Sequence, residues 1–116
     1  MARAIGYMDD LFFQMKIAET AKQLGIEFKV ASNPAGLNGL LEPPTKMVIV
    51  DLNARSNPIA TIQDLCATHK ELRVLAFLSH VQTDLAAQAR AAGCLEVMPR
   101  SVFTQNLATI LGAAKD

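Results

Sequence analysis

Two short stretches of the chain are apolar almost without interruption: Met-Val-Ile-Val-Asp-Leu at 47–52 and Val-Leu-Ala-Phe-Leu at 74–78. Neither alternates apolar with polar positions, the pattern of a strand covered by helices on both faces. Residues 4–8, 27–31 and 95–98 are fainter strand signals of similar length. Between the runs the period becomes helical. Residues 11–24 set Phe13, Ile17, Ala21 and Leu24 on one stripe, and Gly25 follows as a stop. Pro58 suits a first helical position with Asn57 as its cap, and Ile59, Ile62, Leu65 and Cys66 line one face beyond it. Thr83 or Asp84 opens an Ala-rich helix that ends at Gly93, and Ser101 is placed to cap a last helix carrying Phe103, Leu107, Ile110 and Leu111. Asn33-Pro34 starts a second helix that Gly36, Asn38 and Gly39 weaken and Pro43-Pro44 ends, so a short or irregular piece is expected.

The order is strand then helix, five times over. Such alternation predicts an α/β fold: a doubly wound (βα)5 parallel sheet with helices on both faces. The 116 residues fit one domain spanning 1–116. The chain ends soon after the last helix, as expected of a stand-alone domain or a piece of a longer protein.

Composition narrows the partners. The sequence is 51% apolar, enough for a core, and its 11 basic residues balance its 11 acidic ones. That balance gives no electrostatic reason to expect nucleic acid or an anionic membrane surface. Cys66 and Cys94 form no Cys-x-x-Cys pair and make no zinc pattern with His69 and His80, so both read as reduced structural thiols. The opening ten residues are no signal peptide, and no segment approaches the roughly 20 apolar residues that span a bilayer. A cytoplasmic protein is expected.

In doubly wound sheets ligands bind at the carboxyl ends of strands, near the reversal of strand order. The first strand here ends in Asp9-Asp10 and the third in Asp51; the fourth runs into Ser79-His80, and the fifth into Pro99-Arg100-Ser101. Polar chemistry thus collects where this fold puts a site. An Asp closing an apolar strand is costly without partners, which marks Asp51 as a site residue. Asp9 and Asp10 also suit a plainer role, as N-cap and first-turn acid of the first helix.

Three stretches resemble a response-regulator receiver domain: Tyr-Met-Asp-Asp-Leu-Phe-Phe-Gln-Met-Lys-Ile (7–17), Val-Ile-Val-Asp-Leu-Asn (48–53) and Ala-Arg-Ala-Ala-Gly-Cys (89–94). The resemblance covers nearly the whole chain. It implies a flavodoxin-like sheet in strand order 2-1-3-4-5. It also implies that Asp51 accepts a phosphoryl group from a partner histidine kinase or phosphotransfer protein. Mg2+ would be held by Asp10 and Asp51, by Asp9 directly or through water, and by the backbone carbonyl of Asn53. A divalent ion would relieve the repulsion among three crowded carboxylates. Contacts with an output protein or domain, or a homodimer, would use the face of the fourth helix, fifth strand and fifth helix. No independent enzyme is expected, because no nucleophile–base–orienter set is present.

The family pattern breaks in two places. Its Ser or Thr at the end of the fourth strand falls on Leu78 without a gap, and on Ser79 only if the following loop is one residue shorter. Its Lys after the fifth strand falls on Arg100 without a gap, with Ser101 in place of the proline, or on Met98-Pro99 with a deletion. Ser79 and Arg100 are therefore the phosphate-contact or switch candidates. Ser79 equally suits a helix-capping role, and Arg100 equally suits a salt bridge that holds the acids together without metal. The competing function is a pseudo-receiver, a phosphorylation-independent protein-interaction module. A flavin- or nucleotide-binding domain ranks lower, because Asp-Asp-Leu-Phe-Phe after the first strand repels phosphate.

Overall fold

The computed structural model describes residues 2–43, 45–79 and 82–114. Its strands are β1 Arg3–Tyr7, β2 Glu27–Ala31, β3 Thr45–Asp51, β4 Arg73–Leu78 and β5 Glu96–Pro99. Its helices are α1 Leu11–Leu24, α2 Pro34–Asn38, α3 Pro58–Thr68, α4 Thr83–Ala92, α5 Arg100–Gln105 and α6 Leu107–Gly112. The strands pair in parallel in the order β2-β1-β3-β4-β5. This is the expected doubly wound (βα)5 sheet, folded as one domain.

Because successive side chains of a strand point to opposite faces, the apolar runs feed two cores at once. Met47, Ile49, Leu75 and Phe77 face one, with Phe13, Ile17 and Ala21 of α1 and Phe103, Leu107 and Leu111 of α5 and α6. Val48, Val50, Val74, Ala76 and Leu78 face the other, with Leu37 of α2, Ile62 and Leu65 of α3 and Ala89 of α4. At roughly 1.5–3 kcal/mol for each fully buried aliphatic or aromatic side chain, these layers dominate the stabilisation.

The chain leaves β1 toward one sheet edge and β3 toward the other, so a crevice opens between their carboxyl ends. The connections are fixed by local chemistry. Gly25 ends α1 at φ 74°, and its N–H reaches back to the Ala21 and Lys22 carbonyls. Gly93 turns α4 into β5 at φ 116°, where a Cβ would also fall 2.8 Å from that of Cys66. Asn33 caps α2 by accepting from the Gly36 N–H at 2.7 Å.

Two capping expectations and two helix extents need correction. Asn57 stands before α3 as expected, but it sits at φ 45° and ψ 61° and makes no side-chain capping bond. Ser101 does not cap the last helix; it lies inside α5, and Pro99 occupies the N-cap position. The last helix is two pieces that break at Asn106, whose side-chain amide donates to the Val102 carbonyl at 2.9 Å. A side chain bonded to its own helix backbone competes with the ladder in this way. The second helix is short but regular, and it ends at Asn38, well before Pro43. Among the described residues, no helix is long and apolar enough to cross a membrane.

Candidate functional site

Asp10 sits at the N-cap of α1 with extended backbone, φ −91° and ψ 105°. Its Oδ1 accepts from the Phe13 N–H at 3.0 Å, so Asp10 is the cap, while no acid stands in the first turn of α1 and Asp9 lies ahead of it. Its Oδ2 has a second partner: Arg100 donates to it from Nη1 at 3.2 Å. Asp9 is exposed, and its Oδ2 accepts from the Arg55 N–H at 3.1 Å.

Asp51 follows Val50 at the end of β3, paired in register with Phe77 of β4. The strand alternation that puts Met47 and Ile49 on the α1 side puts Asp51 there too. It is only 3% exposed, and Asp51 and Thr61 are the buried polar residues among those described. Its Oδ1 accepts from the Asn53 N–H at 2.9 Å, and its Oδ2 lies 3.6 Å from Nη2 of Arg100. Asn53 ties two loops together: its Oδ1 accepts from the Ser79 N–H at 2.8 Å, and its Nδ2 donates to Gln82 Oε1 at 3.0 Å. The buried Tyr7 hydroxyl donates to the Ser56 carbonyl, which pins the loop after β3 against β1.

Arg100 is the first residue of α5, immediately after β5. Its guanidinium carbon lies 4.4 Å from the centre of the Phe13 ring and 5.2 Å from that of Phe77. Phe13 and Phe77 pack at 5.0 Å between centroids, and Phe77 stacks on Phe103 at 4.9 Å. An aromatic floor therefore carries the cation from below, a contact worth about 0.5–2 kcal/mol. Above it the two amino groups of one guanidinium each face a carboxylate.

The two carboxyls respond oppositely. The N–H of Phe13 has the largest influence on Asp10 and, together with Arg100, holds its carboxyl below the usual range against the opposing effect of burial. Burial drives Asp51 up, against the Asn53 N–H and Arg100, while the charges of Asp9 and Asp10 push it further.

A divalent ion would need carboxylate oxygens that no other cation already faces. Both Oδ1 atoms are taken by main-chain N–H groups, and both Oδ2 atoms face Arg100. Among the described residues, no three His, Cys, Asp or Glu side chains gather closely enough to share a metal. The donor set as folded fits a guanidinium, and it would fit a divalent ion only with Arg100 withdrawn.

Of the residues singled out from sequence, Asp10, Asp51 and Arg100 meet directly. Asp9 and Asn53 border them, and Ser79 joins through its backbone while its residue stays exposed. Leu78 is buried in the core at the end of β4 and pairs with Pro99. His80 lies outside the described residues. Sequence reading missed the aromatic floor, although Phe13 lies three residues after Asp10 on one helix turn and Phe77 lies within an apolar run. It also missed the Asn53–Gln82 tie, which no local signal announces.

No family model matches the sequence, and no curated protein matches it. Many solved structures do match in fold. A response regulator receiver domain protein from Clostridium thermocellum superposes at TM-score 0.82 with 20% identity, over 98% of this chain and 94% of that one. A response regulator protein from Burkholderia pseudomallei, solved with a phosphorylated aspartic acid, a calcium ion and citrate, gives 0.81 and 20%, over 99% of this chain and 67% of that one. NtrX from Brucella abortus, in complex with ADP, gives 0.81 and 18% over 97% of this chain, which spans only 26% of NtrX. The fold is that of response-regulator receiver domains.

Proposed function

We propose that the chain is a receiver-type signalling domain, residues 1–116, in which Asp51 accepts a phosphoryl group from a partner histidine kinase or phosphotransfer protein. One observation carries the reading. The buried carboxylate at the switch-point end of β3 has Oδ1 fixed by a main-chain N–H and Oδ2 turned toward a cation. Oδ2 attacks phosphorus, the bond from phosphorus to the donor imidazole nitrogen breaks, and its electron pair stays with the imidazole, which takes a proton from solvent. Arg100 supplies positive charge to the transferring oxygens, which its planar fork suits. The Burkholderia pseudomallei relative supports the chemistry by carrying a phosphorylated aspartate on the same fold. Phosphorylation would draw Arg100 off Asp10 and Asp51 and so change the start of α5. Output-protein contacts or a homodimer would then read that change on the α4–β5–α5 face.

The second reading, a phosphorylation-independent interaction module, is favoured by Leu78. It is a buried apolar side chain, and in the ungapped alignment it stands where receivers carry a hydroxyl. Acetyl phosphate separates the two readings. The protein is incubated with it, with and without Mg2+, and the intact mass is read. A gain of one phosphoryl group that Asp51→Asn abolishes is the expected outcome. An unchanged wild-type mass under both conditions would leave the interaction module.

A further inference from the structure

We propose that Arg100 is the resident cation of the acidic pocket, and that a divalent ion enters only by displacing it. The inference deepens the reading of Asp51 above but stands on separate geometry. The oxygens a metal would take, Oδ2 of Asp10 and Oδ2 of Asp51, are the two that face Nη1 and Nη2 of Arg100 at 3.2 and 3.6 Å. The remaining oxygen of each carboxylate already accepts a main-chain N–H, from Phe13 and from Asn53. Asp9, the third acid, is turned to the Arg55 N–H.

Arg100 is held in place from three sides. Its backbone is fixed where β5 passes directly into α5, and its carbonyl accepts from Thr104 Oγ1 at 2.9 Å. Its guanidinium rests on Phe13 and Phe77, which the core immobilises. Its side chain is 28% exposed and that of Asp51 is 4%, so the pair meets largely out of water, where charge interactions are screened least. A divalent ion on the same two oxygens would stand within a few ångströms of a like charge, so the two cations compete for one place.

The test uses the full chain and Mn2+ as probe, with free ion followed by its paramagnetic resonance. Arg100→Met keeps the apolar contact with the rings and removes the charge. It is expected to bind Mn2+ roughly tenfold to a hundredfold more tightly than wild type, a range typical for changes in groups that tune a metal site. Adding Asp51→Asn should abolish the gain. Wild type binding Mn2+ as tightly as Arg100→Met would overturn the proposal. A second measurement needs no variant: the Arg100 side-chain Nε–H resonance of wild type is followed during Mg2+ titration. Movement of this resonance in step with binding supports displacement. An ion that saturates the pocket while leaving the resonance in place overturns it. Acetyl phosphate labelling of Asp51 is read by mass, so failure of the phosphoacceptor reading and failure of this one are distinguishable.

Discussion

The two halves of the site differ in kind. On the β1–β3 side, acids stand at strand ends in the arrangement that the receiver resemblance leads one to expect: Asp9 and Asp10 after β1, and Asp51 closing β3. On the β4–β5 side, β4 closes on a buried Leu78 followed by an exposed Ser79, and Arg100 follows β5 directly. One half concentrates negative charge, and the other answers with a tethered cation on an aromatic floor. A constellation of acids therefore does not specify its counter-ion; the opposite strand decides whether that charge is dissolved in the solvent or built into the chain.

Removing what the halves share should produce the largest effect. Phe77 is fully buried, pairs with Asp51 in register and stacks on Phe103 beneath Arg100. Phe77→Ala is expected to cost about 3–5 kcal/mol in urea unfolding, as a large aromatic cavity does. Next comes Asp10, which serves both halves. Asp10→Ala loses the cap on α1 together with the ion pair, and about 1–2 kcal/mol is expected from the cap. Asp10→Asn keeps a capping oxygen and loses only the charge, so its smaller loss in the same assay isolates the pair.

Asp51→Asn should act in the opposite direction at neutral pH, raising the melting temperature by a few degrees. Burial holds the Asp51 pKa above the ordinary 3.8, so the folded protein keeps this proton more tightly than the unfolded chain. Its favourable contribution is complete below the ordinary value and is lost as pH rises through the raised one. The advantage of Asp51→Asn should therefore shrink as pH falls through that interval. Asp10 has a lowered pKa, so its contribution is present above its ordinary value and is lost as pH falls through the lowered one. Melting curves of the two Asn variants across acid pH should thus diverge from wild type with opposite sign at high pH. The smallest effect belongs to Asp9→Ala, where an exposed side chain loses one bond to the Arg55 N–H; a change within about 0.5 kcal/mol is expected.

Much of this was legible in the sequence. Unbroken apolar runs predicted β3 and β4 to within a residue or two, because strands buried on both faces leave no room for polar positions. The stripe of Phe13, Ile17 and Ala21 with its Gly25 stop marked α1 to its last residue. The meeting of Asp10 and Asp51 followed from strand ends at the switch point. Less legible was whatever depends on the handover between elements. Ser101 looked like a cap, but the cap is Pro99, two residues earlier, and that shift makes Arg100 the first residue of the helix beside the sheet edge. Asn57 looked like a cap as well, but left-handed backbone takes its side chain out of capping reach. The direction of a long side chain such as Arg100 is set by rings from two other elements, Phe13 of α1 and Phe77 of β4, which no local pattern encodes.

The most direct test is a crystal structure of the wild-type protein grown in millimolar Mg2+. Arg100 is predicted to remain over the Phe13 ring, with its two amino groups toward Oδ2 of Asp10 and Oδ2 of Asp51 and no ion between those oxygens. A magnesium ion seated between the two carboxylates, with Arg100 still resting on the rings, would contradict it.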